Sequence, residues 1–305
     1  MSRMAARRSS PDSKAPHEHR FGGAWTEQKL DVLEKYLVAY RAALKHQTFK
    51  TAYIDAFAGT GYRSEREDES SGTDLLFADL AAAEPQSMLE GSVARALRVR
   101  PPFDTYLFIE KDPERTAGLE ALKHQHSELQ IDVRQGDANV VIRELCARNW
   151  TRHRAVLFLD PYGMQVEWST IESVARTQAI DMWLLFPLGI GVTRLLPNSG
   201  KLPAGWRRRL DLLLGTNTWS DELYRIEKVP TLFGDDAEIV RKASNDVIGR
   251  YFVDRLKTVF PGVADPPLVL TNSTGCPLYL FCFAAANPAG AKIALKIANH
   301  ILKKA

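Results

Sequence analysis

Five short runs of β-branched and aromatic residues, Thr51–Ala56, Thr105–Ile109, Gln130–Gln135, Ala155–Leu159 and Ile180–Phe186, each stop at polar or turn residues, and helical spacing follows most of them. Strands that alternate with helices are joined by crossovers, and crossovers build a parallel sheet. The chain end breaks that rhythm. Pro267–Thr271 and Pro277–Ala284 are separated only by a turn containing Asn-Ser-Thr-Gly, too short for a crossover helix, so the spacing predicts an antiparallel hairpin there.

Around this α/β frame, Leu30, Leu33, Leu37, Tyr40 and Leu44 recur at three- and four-residue steps and predict a helix from an N-cap at Thr26 to about His46. Between the fifth run and the hairpin, residues 188–262 carry mainly helical pattern, with Ile239, Val240, Ala243, Val247, Tyr251, Phe252 and Leu256 on one expected helix; a helical cap follows. Residues 1–18 read as a frayed basic tail and 19–305 as one elaborated domain. Ser64–Gly72 reads as a charged, serine-rich loop. A composition of 45% hydrophobic and 25% charged residues is ordinary for a globular chain. A net charge of +3 neither demands nor excludes an anionic partner, so any nucleic-acid site must be local. Cys146, Cys276 and Cys282 form no C-x-x-C pair and read as core thiols of a reducing compartment, and no apolar run approaches the ~18 residues of a membrane span. Both points lead to an expected cytoplasmic location.

In open α/β sheets, ligands sit beyond the carboxyl ends of the strands, and four polar breaks fall at such ends. The first is Asp55-Ala-Phe57-Ala-Gly59-Thr-Gly61, where glycines let backbone approach a ligand. The second is Glu110, whose carboxylate can accept from both hydroxyls of a ribose. The third is Asp137, within Gln135–Asn139, which can accept from an adenine amino group. The fourth is Asp160-Pro161-Tyr162-Gly163. Singly, each has a plainer reading: Asp55 caps a helix, Glu110 ends a strand, Gly136-Asp137 makes a turn, and Asp160-Pro161 stops a strand before a left-handed Gly163. Their joint occurrence in order at successive strand ends favours a ligand. Glu110 follows Gly61 at more than twice the ~20-residue spacing of a dinucleotide fingerprint. Either an insertion over about 62–103 intervenes, which apolar helical patches at Leu75–Ala83 and Val93–Val99 favour, or Glu110 is not the ribose acid.

Five parallel strands closed by an antiparallel pair describe the Rossmann-like, seven-stranded sheet of class I methyltransferases; the strand order is borrowed from that fold. The glycine loop with Asp160-Pro161-Tyr162-Gly163 looks like the F-x-G-x-G and D-P-P-Y pair of amino-group methyltransferases acting on nucleobases, with one proline fewer. More specifically, Phe21-Gly-Gly-Ala-Trp-Thr-Glu-Gln-Lys-Leu30, Tyr36-Leu37, Tyr53–Gly61, Gly91-Ser92, Phe108-Ile-Glu110 and Leu159–Gly163 resemble the three-Cys-motif partner protein (TcmP) family, over nearly the entire chain from about His19. The resemblance implies a domain dependent on S-adenosylmethionine (SAM) that pairs with a separate three-cysteine, radical-SAM-like protein. It names no substrate.

Read chemically, the Asp160 carboxylate and the Pro161 carbonyl could accept from an exocyclic amine and localise its lone pair, while Tyr162 could stack on the base for ~1–3 kcal/mol. A duplex base would have to be flipped out first. The expected function is methyl transfer to a nucleobase amine; the alternative is a non-catalytic SAM-binding subunit that regulates the three-cysteine protein. Trp25, Thr26 and Lys29 could face the ligand or the base; alternatively Trp25 staples the first helix, Thr26 caps it and Lys29 is solvated, and residue type favours a solvated lysine. Trp206 with Arg207, Arg208 and Arg209 could contact phosphates or form a solvated helix face. The histidines show no metal-ligand spacing, so no metal is expected.

Overall fold

The protein is described by a computed structural model for residues 24–59, 91–230 and 236–305. In it the five runs are parallel strands. β1 (Lys50–Asp55) lies between β2 (Thr105–Glu110) and β4 (His153–Leu159); β3 (Ile131–Gln135) extends the β2 edge and β5 (Ile180–Phe186) the β4 edge. Beside β5, β10 (Pro277–Ala285) runs antiparallel, and β8 (Gly262–Val263) and β9 (Leu268–Thr271) share its outer edge. The order is β3-β2-β1-β4-β5-β10-β8, with β9 also on β10. The expected hairpin is therefore β9–β10. Its turn is gathered by Asn272, whose Oδ1 accepts from the Thr274 and Cys276 amides and from the Thr274 hydroxyl, and Gly275 supplies the φ of +80°. Cys276 is exposed in this turn, not a core thiol; only Cys282 is buried.

Alternation along the strands divides the core in two. Tyr53, Phe108, Phe158 and Trp183 pack with α1 (Ala24–Leu44), α2 (Ser92–Arg98), α3 (Pro113–Gln125) and α9 (Ala291–Leu302). Ile54, Leu107, Leu157 and Leu184 pack with α4 (Ala138–Cys146), α5 (Trp168–Arg176), α6 (Ala204–Leu214) and α8 (Asn245–Lys257). Helices cover both faces, and the carboxyl ends of β1 to β5 share one edge. Because β10 runs the other way, with Leu280 opposite Phe186, its first residues arrive at that same edge.

Residues 188–262 differ from the expected all-helical cap. A π-helical turn (Leu188–Val192), α6, and the short α7 (Trp219–Leu223) are followed by a separate antiparallel pair, β6 (Tyr224–Pro230) and β7 (Asp236–Lys242). Ile239 and Val240 belong to β7, and the helix expected to include them starts only after Ser244, whose hydroxyl accepts from the Val247 amide and caps α8. The first helix also differs: it is already formed at Ala24, which places Thr26 inside it and not at its cap. The basic tail, Ser64–Gly72, Leu75–Ala83 and Gly61 lie outside the described residues, while Val93–Val99 falls largely on α2.

At the opposite end of the sheet, the Tyr36 hydroxyl donates to Asp181 Oδ2 at 2.6 Å inside the core. Burial pushes the Asp181 carboxyl up to about 7, against the opposing pull of the Tyr36 bond and of Arg154. The folded chain thus holds this proton between the usual carboxylate range near 4 and about 7, whereas the unfolded chain releases it. Its contribution to stability is complete below about 4 and is lost as pH rises through that window, by at most ~1.4 kcal/mol per unit. Asp181→Asn keeps an acceptor for Tyr36, so thermal unfolding should show the variant gaining on the parent between pH 5 and 8. A constant difference across that range would exclude the buried acid as the source.

Candidate functional site

The edge formed by the strand ends collects four carboxylates, in distinct states. Asp55, at the end of β1, is fully buried: Oδ2 accepts from Ser92 Oγ (2.6 Å) and Tyr53 Oη (3.1 Å), and Oδ1 from the Phe57 amide (3.3 Å). Burial pushes its carboxyl up to about 6, with the Asp160 charge adding to the rise and the Ser92 and Tyr53 bonds opposing it. Asp55 thus braces the glycine loop from beneath and ties it to α2; among the described residues it caps no helix. Half-buried Phe57 leans on the core beside it.

Glu110, at the end of β2, reaches across to that loop. Oε2 accepts from the Gly59 amide (3.0 Å), and Oε1 from the amides of Lys111 and Asp112 (2.8 and 2.9 Å). A side chain at Gly59 would place Cβ 2.5 Å from Glu110 Oε2 and 2.8 Å from Arg115 Cβ, so only glycine closes this contact. A carboxylate offers about four lone-pair sites, and three are filled here. Among the described residues, one remains, on Oε2. Asp137 is the N-cap of α4, with Oδ1 accepting from the Asn139 and Val140 amides. The turn reading and the ligand reading coexist at this residue, since both caps use one oxygen.

Asp160 follows β4, and its Oδ2 accepts from Lys29 Nζ at 2.7 Å, with side-chain exposures of 12% and 3%. The solvated Lys29 favoured by residue type is therefore wrong: the amphipathic pattern of α1 turns position 29 inward, and Asp160 supplies the counter-charge that makes its burial tolerable. Lys29 Nζ lies 4.8 Å from the centre of the Trp25 ring, and Trp25 lies 4.8 Å from Tyr279 at the start of β10. Pro161 is buried, Tyr162 half-buried, and Gly163 adopts φ +63°, the left-handed turn expected of it. Two features escaped the sequence reading. Tyr279 is one, traceable to the hairpin direction that returns β10 to the site edge. Asn139 is the other: its amide donates to the Gln165 carbonyl, and its oxygen accepts from the Glu167 amide and Thr170, pinning the loop that leaves Asp160.

Arg207 and Arg208 are exposed on α6, and Arg209 is half-exposed. Arg207 lies over the Trp219 ring at 5.2 Å, and no described contact joins the three arginines to the carboxylate edge. Among the described residues no group of His, Cys, Asp and Glu could hold a metal, and no helix is long and apolar enough to cross a membrane.

A sheet ordered 3-2-1-4-5, with an antiparallel strand beside the fifth and an acid-bearing glycine loop after the first, is the Rossmann-like sheet of class I methyltransferases. No known family profile matches the sequence, and no curated protein does. Among solved structures, the chain is similar to protein LPL1258 of the DUF519 family from Legionella pneumophila (15% identity, 78% of this chain and 93% of that one, TM-score 0.39). It is also similar to a S-adenosylmethionine-dependent methyltransferase from Clostridium acetobutylicum (9%, 85% and 91%, TM-score 0.33). A third likeness is to the N-terminal domain of EvdMO1, solved with S-adenosylhomocysteine (SAH) and D-fucose (13%, 85% and 82%, TM-score 0.36). At these scores the fold assignment stands on strand order and direction.

Proposed function

We propose that the protein is a SAM-dependent methyltransferase whose acceptor is a nucleobase amine. The observation that carries this reading is the closure of Gly59 onto Glu110 at the ends of β1 and β2, with Asp160-Pro161 at the end of β4, the other neighbour of β1, on the same edge. The residues fit a nucleoside cofactor: Gly59 brings its backbone against Glu110 where a Cβ would collide with that carboxylate, and, among the described residues, Glu110 keeps one lone-pair site for a ribose hydroxyl and Asp137 keeps Oδ2 for an adenine amino group. The expectation that Glu110 takes both hydroxyls without rearrangement shrinks to one.

When bound, SAM supplies an electrophilic methyl: its S–C bond breaks as the N–C bond forms, leaving SAH and an excess proton on nitrogen. Asp160 Oδ1 and the Pro161 carbonyl accept from the amine and localise its lone pair, and Asp160 is the exit for the proton. Tyr162 stacks on the base. Positioning supplies most of the rate. We further propose TcmP membership, with a three-cysteine, radical-SAM-like partner; the quoted resemblance supports it. Trp25 and Thr26 then line the acceptor side, and Arg207, Arg208 and Arg209 serve a partner or nucleic-acid surface.

One observation favours the rival reading, a non-catalytic subunit that binds or regulates the partner: Asp160 already carries an ion pair with Lys29. Incubation with methyl-labelled SAM and either total RNA or genomic DNA, with and without the three-cysteine protein, separates the two. The enzyme reading expects a labelled N-methyl nucleoside after digestion. Intact SAH binding with no label in either nucleic acid would leave the subunit reading in its place.

A further inference from the structure

We infer that Lys29 is a positioning residue for acceptor methylation, holding the Asp160 carboxylate through Oδ2 so that Oδ1 and the Pro161 carbonyl alone meet the amine; the inference rests on the methyltransferase reading above. The Lys29 side chain is the more buried of the two, at 3% exposed against 12% for Asp160, which follows β4 at the carboxyl edge of the sheet. Lys29 comes from the second turn of α1, and the start of that helix is tied to α2 and β10. Arg95 of α2 bonds Glu27 (2.6 Å), Asp31 and Glu34 (3.1 Å), Trp25 packs on Tyr279, and Nζ faces the Trp25 ring. Ser92, one turn from Arg95, bonds Asp55 beneath the glycine loop. A continuous set of contacts therefore runs from the cofactor loop through α2 and α1 to Asp160.

Stability does not account for the pair. Desolvation offsets most of the attraction in a buried ion pair, and apolar side chains of the same volume serve a core as well or better. Geometry does account for it, because the terminal torsion of an aspartate is broad and one short charge-assisted bond narrows it. The positive charge of Lys29 is compatible with methyl transfer. The reaction moves a positive charge from sulfur to nitrogen and creates none, so the ammonium opposes it only through the difference in its distances to those two atoms.

In the labelled-SAM assay on total RNA and genomic DNA, Lys29→Met should lower kcat about ten- to a hundredfold, as expected for a displaced catalytic group, with KM and SAH affinity within about twofold. Lys29→Arg should restore part of the loss, and Lys29→Met added to Asp160→Asn should cost nothing further. A readout independent of turnover is the ¹⁵N signal of the Lys29 ammonium, which should exchange slowly in the parent and vanish in Asp160→Asn. Unchanged kcat in a folded Lys29→Met protein, a parallel loss of SAH affinity, or no such signal would each overturn the inference. If the Met variant does not fold, Lys29→Gln and the ammonium signal decide. A parent that methylates neither nucleic acid overturns both this inference and the reading beneath it; an active parent indifferent to Lys29 overturns the inference alone.

Discussion

Asp160→Asn should reduce methyl transfer by about 10³-fold while SAH affinity stays within about twofold, because a charged acceptor facing the reacting nitrogen is lost and the glycine loop is untouched. The amide can still accept one bond, but it carries no charge to meet the cation formed at nitrogen and cannot take its proton. The substitution also strands Lys29, whose side chain is 3% exposed. Breaking one side of a buried pair costs about 3–5 kcal/mol, so the single variant should unfold at lower temperature than the parent. Lys29→Met with Asp160→Asn removes both charges and should recover most of that stability without recovering activity. Stability and catalysis are thereby separated at one position. Retained turnover in the single variant would remove Asp160 from the mechanism.

The second large effect is expected at Glu110. Glu110→Ala deprives the amides of Gly59, Lys111 and Asp112 of their acceptor and removes the proposed ribose contact, so SAH affinity should fall about a hundredfold, the equivalent of ~2.7 kcal/mol. Glu110→Gln is the sharper variant. Both carboxylate oxygens accept from backbone N–H groups, and an amide can present only one acceptor; its NH2 would face a donor. Gln should therefore behave closer to Ala than its shape suggests, by calorimetry with SAH. Parent-like affinity in both variants would show that the loop closes without Glu110 and that the cofactor lies elsewhere.

How much of this was legible in the sequence depends on the range of each interaction. The strands could be read because Tyr53/Ile54, Leu107/Phe108 and Leu157/Phe158 are apolar on both sides of the chain, which a doubly covered parallel sheet requires. The hairpin could be read because its turn is too short for anything else. Lys29 could not: its partner is 131 positions away, and the same residue type on an amphipathic helix is ordinarily solvated. The misassigned stretch before α8 has a local cause. Ile239, Val240 and Ala243 are spaced so that they continue the helical stripe of Val247, Tyr251 and Phe252, and only the Ser244 cap marks where the helix starts. Asp55 stands at the end of β1 and Asp137 just past β3, but residue type cannot say how many lone pairs the chain itself consumes. For Asp55 all described bonds are internal, and for Asp137 one oxygen is taken.

The central claim is that the edge between Gly59, Glu110 and Asp137 is a cradle for a SAM-type nucleoside. Titration calorimetry of the purified chain with SAH, and separately with NAD, addresses it most directly. A single saturable SAH site, weakened in Glu110→Ala, with no heat from NAD at the same concentrations, is the predicted result. Absence of SAH binding, or tighter binding of NAD, would contradict it.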